Sequence, residues 1–196
     1  PSDATGLSPL FLKYAYFNGT SWVFQNVDEG EIYRPSSALD SLGNPHISYL
    51  DAISRTVKYA HYNGSSWLIQ SVDSYGYCGY SQSIALDSHD RPHIAYYQDS
   101  YGNPPQYLKY AYYNGTSWSI ETVDGKNTGY PSIALDSQNH PHISYGNLPG
   151  GLKNAYFDGV SWKIQIVPST EQDYVSDNSI ALDSEDNPHI SYLKLT

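Results

Sequence analysis

The stretch ALDSLGNPHISY, from Ala38 to Tyr49, recurs three more times along the chain, beginning at Ala85, Ala134 and Ala181. The aspartate in the third position of each copy is 47, 49 and 47 residues from the next. A second phrase of the form YAYYNGTSW alternates with it and ends each time in a tryptophan. These tryptophans are Trp22, Trp67, Trp118 and Trp162. The chain of 196 residues is therefore a repeat protein with a period of about 40 to 50 residues, which is typical of β-propeller blades.

Each repeat divides into four short runs that are rich in β-branched and aromatic residues and separated by Gly, Pro, Asn and Asp. In one repeat the runs are Ser83–Asp87, Pro92–Tyr97, Tyr107–Tyr113 and Trp118–Val123, which we name strands A, B, C and D. The A–B and C–D links are short hairpins of nearly constant length, whereas the B–C and D–A links vary. This pattern predicts an all-β fold made of four-stranded antiparallel propeller blades.

The phase of the repeat is shifted, since the chain opens with strands C and D and closes with strands A and B. We therefore predict one domain of four blades over residues 1–196, with blade 1 completed by both termini. Blade 1 combines 12–27 with 179–193, and blades 2, 3 and 4 comprise 36–72, 83–123 and 131–167. Closure within one chain removes the free sheet edges and is favoured by the high local concentration of the two ends. The alternatives are an eight-bladed ring of two chains and the exchange of half-blades between chains.

Composition restricts the partners of the chain. Lys and Arg number 10 against 20 Asp and Glu, a formal net charge of −10, so we predict no nucleic-acid binding. No apolar run reaches the roughly 20 residues that cross a bilayer, so no membrane insertion is predicted. Cys78 is the single cysteine, which excludes an internal disulfide and leaves its role open.

Three hairpins contain acceptor sequons for N-linked sugar, at Asn18, Asn63 and Asn114. Together with the low charge and the abundance of Tyr, Ser and Asn, they favour an extracellular or cell-surface protein with possible glycosylation. Asn-Gly is also the preferred pair for a tight hairpin, so turn chemistry explains the same residues.

Histidine, tryptophan and aspartate each recur once per blade. The histidines are His46, His93, His142 and His189. They could form a ring of metal ligands, but strand B is not the innermost strand, and we favour hydrogen bonding within each blade. We likewise expect the tryptophans to be packing anchors with a satisfied N–H, and the aspartates to accept backbone N–H groups in their own turns. No metal and no cofactor is predicted.

The repeated phrases resemble two known groups of propellers. ALDSxGNPHISY is similar to the Asp-box hairpins of sialidase-like propellers, and LKYAYYNGTSWSIETV, ending at Val123, resembles repeats of fucose-binding lectin propellers. The lectin resemblance implies sugar sites between blades. The sialidase resemblance implies a site with three arginines, but Arg34 and Arg55 fall in variable links and Arg91 in a hairpin on the opposite rim. We therefore do not predict an enzyme.

The variable D–A and B–C links emerge on one rim, which is rich in tyrosine. The candidate ligand-binding residues on this rim are Tyr33, Tyr75, Tyr77, Tyr80, Tyr97, Tyr101, Tyr107, Tyr130 and Tyr174. Aromatic rings beside carboxylates suit sugars and equally suit a protein partner. We predict a non-catalytic binding module that recognises carbohydrate, with glycans or surface proteins as partners. The alternative is a structural or adhesive protein that associates with itself.

Overall fold

The computed structural model describes residues 10–74, 77–100, 103–125, 128–147, 150–168, 170 and 174–195. The regular secondary structure of these residues consists entirely of β-strands, and all strand pairs are antiparallel. The chain therefore has the all-β architecture expected from its repeats. No helix long and apolar enough to cross a bilayer occurs in the described part of the chain.

The strands follow the predicted A, B, C, D order. The first sheet has two strands, β1 (Leu10–Phe17) and β2 (Trp22–Gly30). Blade 2 contains β3 (Ile32–Leu39), β4 (Pro45–Asp51), β5 (Thr56–Tyr62) and β6 (Trp67–Asp73). Blade 3 contains β7 (Tyr77–Leu86), β8 (Pro92–Ser100), β9 (Asn103–Tyr113) and β10 (Trp118–Asp124). Blade 4 contains β11 (Thr128–Leu135), β12 (Pro141–Asn147), β13 (Gly151–Phe157) and β14 (Trp162–Ile166). The last sheet has two strands, β15 (Tyr174–Leu182) and β16 (Pro188–Leu195).

Blades 2, 3 and 4 are each a single four-stranded sheet, whereas β1–β2 and β15–β16 are two separate two-stranded sheets. The two pairs carry the C–D and A–B phrases of the repeat, in that order. The two pairs do not join into one sheet in this structure, so the four-stranded blade 1 stays a prediction.

The A–B hairpins show why the repeated aspartate is needed. Asp87 accepts hydrogen bonds from the backbone N–H groups of His89 and Arg91 at 2.8 and 2.9 Å, and the other three aspartates bond their own turns in the same way. The turn then passes through a left-handed residue, Gly43 or Asp90, at φ 82° and 61°. Asn and Asp adopt this conformation more readily than other residues with a side chain. The predicted role of the aspartates is confirmed.

The core lies between the sheets, because both faces of strand B are covered in blades 2, 3 and 4. Tyr49, Tyr96 and Tyr145 have no exposed surface. Their hydroxyls donate to carboxylates at the end of strand D of the preceding sheet, at 2.8, 2.6 and 2.7 Å. Apolar contact and one hydrogen bond to a charged acceptor thus fix each blade on its neighbour.

Candidate functional site

The three junctions between the β1–β2 sheet and blades 2, 3 and 4 each contain a tryptophan that spans the two sheets. The indole N–H groups of Trp67, Trp118 and Trp162 donate to Gln25, Gln70 and Glu121 of the preceding sheet at 2.9, 3.0 and 2.9 Å. The same rings meet tyrosines of the preceding sheet edge-on, with centroids 5.2 to 5.6 Å apart. The predicted packing role with a satisfied N–H is confirmed for these three.

At the junction of blades 3 and 4, the space between the sheets widens into a cavity of about 320 Å³. It lies toward the rim that carries the A–B and C–D hairpins, opposite the tyrosine-rich rim. Charged, imidazole and aromatic groups from both blades line it, chiefly Arg91, His93, Glu121, His140, Phe157 and Trp162. Its size is at the lower end of the ~300–1,000 Å³ that small-molecule sites occupy.

A hydrogen-bonded chain behind the cavity holds its charges in place. Arg91 Nε donates to Asp87 Oδ2 at 2.6 Å. Burial opposes ionisation of Asp87, but hydrogen bonds from the backbone of Arg91 and His89 and from the Arg91 side chain outweigh it and lower its pKa. Burial lowers the pKa of His93 despite the nearby Asp87, which favours the neutral ring. The 2.5 Å contact between His93 Nδ1 and the Tyr110 hydroxyl is satisfied when the hydroxyl donates.

The cavity therefore offers hydrogen-bonding and apolar groups of the kind that a small neutral polyol needs. The Arg91 guanidinium has five N–H donors, and Asp87 accepts the Nε–H. Glu121 uses Oε2 for Trp162 and has a second carboxylate oxygen. The aromatic ring of Phe157 supplies an apolar wall for C–H groups. A few polar groups beside aromatic walls in one partly enclosed space are the usual components of a small-molecule site.

The sequence holds a signal for this junction that the repeat pattern obscured. Arg91 occupies a position that is Asn44, His140 and Asn187 in the other repeats. Glu121 occupies a position that is Gln25, Gln70 and Gln165. Both departures introduce a charge, and the fold brings both to the same cavity. The sequence alone marks Arg91 as a candidate sialidase-type arginine and Trp162 as a packing residue. Their convergence with Glu121 depends on blade stacking.

The predicted tyrosine-rich rim is described in part. Tyr75 and Tyr101 lie outside the described residues, and only the backbone of Tyr77 and Tyr80 is described. Tyr33 and Tyr174 are exposed, at 47% and 51% of their surface, and Tyr97, Tyr107 and Tyr130 are half-buried. The Arg34 guanidinium lies 5.9 Å from the Tyr130 ring centroid, and Lys109 Nζ lies 5.7 Å from that of Tyr107. A binding role for this rim stays a prediction.

Carboxylates on the same rim are engaged in the fold. Lys58 Nζ lies 2.8 Å from Asp51 and 3.3 Å from Asp28. Lys153 Nζ lies 2.8 Å from Asp124. Asp28 and Asp124 link neighbouring sheets, and Asp51 holds Lys58 within blade 2. These bonds lower the value of all three carboxylates as acceptors for a ligand.

The repeated histidines bond within their own blades in the two cases where strand C offers a tyrosine. His46 Nδ1 lies 2.6 Å from the Tyr59 hydroxyl, as His93 does from Tyr110. In blade 4 Asn154 replaces that tyrosine, and His142 Nδ1 and Asn154 Oδ1 are buried without a hydrogen-bond partner among the described residues. The favoured role is therefore confirmed for blades 2 and 3 and altered in blade 4.

The sequon asparagines lie in exposed C–D hairpins. Their side-chain oxygens accept backbone N–H groups two and three residues ahead, as in Asn18 with Thr20 and Ser21 at 3.0 and 2.9 Å. Turn chemistry accounts for this geometry, and glycosylation at Asn18, Asn63 and Asn114 stays a prediction.

Stability is expected to fall as the pH decreases from 7.5 to 5. Burial lowers the pKa of His46, His93 and His142 from the ordinary value of 6.5. The unfolded chain therefore takes up protons below about pH 6.5 that the folded chain resists, which favours unfolding. Thermal unfolding monitored by circular dichroism at pH 7.5 and at pH 5 measures this loss of stability.

Replacing His93 by Gln should reduce the pH dependence of the melting temperature. The control His189→Gln, at a side chain that is 71% exposed, should not. A melting temperature that is the same at pH 7.5 and 5 would contradict the assignment.

Comparison with known proteins finds structural neighbours. No protein-family model and no curated protein sequence matches the chain. The six-bladed β-propeller lectin of Aleuria aurantia is 11% identical, with a TM-score of 0.64 over 89% of this chain and 60% of that chain. A variant of the same lectin in complex with Fucα1-6GlcNAc is 13% identical, with a TM-score of 0.63 over 92% of this chain and 63% of that chain.

The second group of neighbours is sialidase-like. The intramolecular trans-sialidase of Ruminococcus gnavus, in complex with oseltamivir carboxylate, is 14% identical, with a TM-score of 0.58 over 93% of this chain and 45% of that chain. The chain thus spans less than two thirds of the length of these lectins and less than half of the trans-sialidase. The chain has a propeller-type fold, and its resemblance to fucose-lectin and sialidase-like propellers is confirmed at the level of that fold.

Proposed function

We propose that this chain is an extracellular, non-catalytic carbohydrate-binding module, and that the cavity between blades 3 and 4 is its sugar site. The observation that carries the proposal is the convergence of Arg91, Glu121 and Trp162 on one cavity. The donor and the acceptor are charged, which roughly doubles the strength of hydrogen bonds to neutral hydroxyls. Phe157 and Trp162 supply aromatic surface beside them.

Fucose is the sugar that best suits this cavity. As a 6-deoxy sugar it carries one methyl group and a set of ring hydroxyls, so it needs both an apolar wall and charged hydrogen-bonding groups. Structural neighbours from Aleuria aurantia bind Fucα1-6GlcNAc and α-methyl-L-fucoside. Their likeness to this chain supports the ligand class as a proposal.

The tyrosine-rich rim is the proposed second contact surface, for the remainder of a glycan or for a surface protein. Its exposed rings at Tyr33 and Tyr174 offer large contact area at low entropic cost. The rim lies opposite the cavity, so the two surfaces can act independently.

Blade 1 belongs to the same proposal. We propose that β15–β16 and β1–β2 are the A–B and C–D halves of one blade, because they carry the same phrases as the halves of blades 2, 3 and 4. This gives four blades' worth of strands per chain.

Lack of catalysis is supported by how the candidate groups are placed. Most glycoside hydrolases use two carboxylates on either side of the scissile bond, and sialidases use a tyrosine nucleophile with an acidic partner. In the cavity, Glu121 bonds Trp162 and Asp87 bonds its own hairpin and Arg91. The Arg34 guanidinium lies beside Tyr130 rather than at the cavity.

Isothermal titration calorimetry with methyl α-L-fucoside tests the proposal. We expect saturable binding at one site per chain and weaker binding of methyl α-L-galactoside, which differs by the 6-hydroxyl that the apolar wall cannot pair. Chromogenic fucosides and sialosides should not be turned over. Absence of fucoside binding in both calorimetry and saturation-transfer NMR would overturn the sugar assignment, and turnover of either substrate would overturn the non-catalytic one.

A further inference from the structure

Two strand edges in the chain are unpaired and carry complementary repeat phrases. β16 pairs with β15 on one side and β1 pairs with β2 on one side, whereas their counterparts in blades 2, 3 and 4 pair on both sides. From these edges we infer that copies of this chain join head to tail, with β16 of one copy pairing with β1 of a second copy. This inference rests on the proposed blade 1 and specifies which chains supply its halves.

Side chains of β16 are much more exposed than their counterparts in the complete blade 2. In β16, Tyr192 and Leu193 are 40% and 53% exposed, whereas Tyr49 and Leu50 at the same positions of β4 are 0% and 4% exposed. The His189 side chain is 71% exposed, against 8% for His46. Unpaired, exposed strand edges of this kind template pairing with another chain.

The register of the missing pair follows from the complete blades. In blade 2, Ile47 is opposite Ala60, and Ile94 and Ile143 are opposite Ala111 and Ala155 in blades 3 and 4. The corresponding residues are Ile190 in β16 and Ala15 in β1. We therefore expect Ile190 of one copy to lie opposite Ala15 of the next.

The same join supplies a missing tryptophan contact. Trp22 is 62% exposed, whereas Trp67, Trp118 and Trp162 each bond the preceding sheet. Gln165 in β14 occupies the position of Gln25, Gln70 and Glu121, and it is exposed. When β1–β2 of a second copy completes the sheet after blade 4, its Trp22 faces Gln165 of the first copy. A junction of the kind that contains the proposed sugar site is then shared by two copies.

The β1–β2 sheet that pairs with β16 is better supplied by a second copy than by the same copy. The β1–β2 sheet packs on blade 2, and β15 packs on blade 4, so the two halves cap opposite ends of the array. The array superposes on about 60% of a six-bladed propeller chain. Closing a ring with four blades requires a sharper turn from blade to blade than a six-bladed ring does. In this structure β1 and β16 do not pair with each other, so both edges are open to other copies.

Cysteine cross-linking distinguishes the two arrangements. We would prepare Ala15→Cys and Ile190→Cys as separate proteins, both with Cys78→Ser, and mix them under mild oxidation. Directly opposed residues of an antiparallel pair have Cα separations that a disulfide accommodates. We expect a disulfide-linked dimer in the mixture, seen on non-reducing gels, and little in either variant alone. Ser191→Cys in place of Ile190→Cys is the matched control, since its side chain points to the opposite sheet face.

Two results would overturn the inference. If a variant that carries both Ala15→Cys and Ile190→Cys forms an internally linked monomer and the mixture of single variants forms no dimer, the chain closes on itself. If neither cross-links and light scattering gives the monomer mass of 21.9 kDa, the edges do not join at all. The cavity between blades 3 and 4 lies within one chain, so fucoside binding is expected in all of these variants. Failure of the sugar assignment is thereby distinguishable from failure of the join.

Discussion

Replacing Arg91 by Asn and Glu121 by Gln together is expected to weaken fucoside binding by about 100-fold or more while leaving the fold intact. Each change removes one hydrogen bond to a charged group, worth about 1.5–3 kcal/mol, and ~1.4 kcal/mol corresponds to a factor of ten. The variant residues are those of the neighbouring junction, Asn44 and Gln70. Gln70 accepts from Trp118 at 3.0 Å, so Gln at position 121 can keep the bond to Trp162.

The reciprocal change provides the matched experiment. Introducing Asn44→Arg and Gln70→Glu places the same charges at the junction of blades 2 and 3, where Trp118 replaces Trp162. We expect the number of fucoside sites per chain, measured by calorimetry, to rise from one to two. Unchanged affinity in the Arg91→Asn/Glu121→Gln variant, with unchanged melting temperature, would show that the cavity is not the sugar site.

Repetition made the fold predictable from sequence, and it also concealed the candidate site. The strand order, the hairpin aspartates and the packing tryptophans each appear in every repeat, and a feature that recurs with the period of a blade has to serve the blade. Arg91 and Glu121 are 30 residues apart in sequence and face a tryptophan of the next blade. Only the stacking of two sheets brings the three together, which the pattern within a single repeat does not specify.

The tyrosine-rich rim illustrates the opposite difficulty. Its loops vary in length and composition, and such variation predicts a binding surface there. The structure shows that Asp28, Asp51 and Asp124 on this rim hold lysines and buried tyrosines. Residue type alone does not distinguish a free carboxylate from one that is hydrogen-bonded to the next blade, as Asp28 and Asp124 are. The partner of such a carboxylate lies on a different repeat.

The largest effect on stability is expected from Asp124→Ala, at about 3–5 kcal/mol of unfolding free energy. Asp124 Oδ2 accepts from the buried Tyr145 hydroxyl at 2.7 Å and from Lys153 Nζ at 2.8 Å. Burial opposes its ionisation, but the hydrogen bonds from Lys153 and Tyr145 outweigh burial and lower its pKa. The Lys153 side chain is 13% exposed. Removing the carboxylate leaves a nearly buried ammonium and a buried hydroxyl without this acceptor, and breaking a buried ion pair costs about this much.

Asp28→Ala is the matched control, because Asp28 occupies the equivalent junction between the β1–β2 sheet and blade 2. Asp28 accepts from the Tyr49 hydroxyl at 2.8 Å and from Lys58 at 3.3 Å, but Lys58 keeps its 2.8 Å contact with Asp51. The loss there should be about 1–3 kcal/mol, the cost of a single unsatisfied buried hydroxyl. Urea unfolding followed by circular dichroism compares the two variants, and Asp124→Asn separates the ion pair from the hydrogen bond to Tyr145. Equal losses for Asp124→Ala and Asp28→Ala would mean that the ion pair with Lys153 adds nothing to the junction beyond the hydrogen bond from Tyr145.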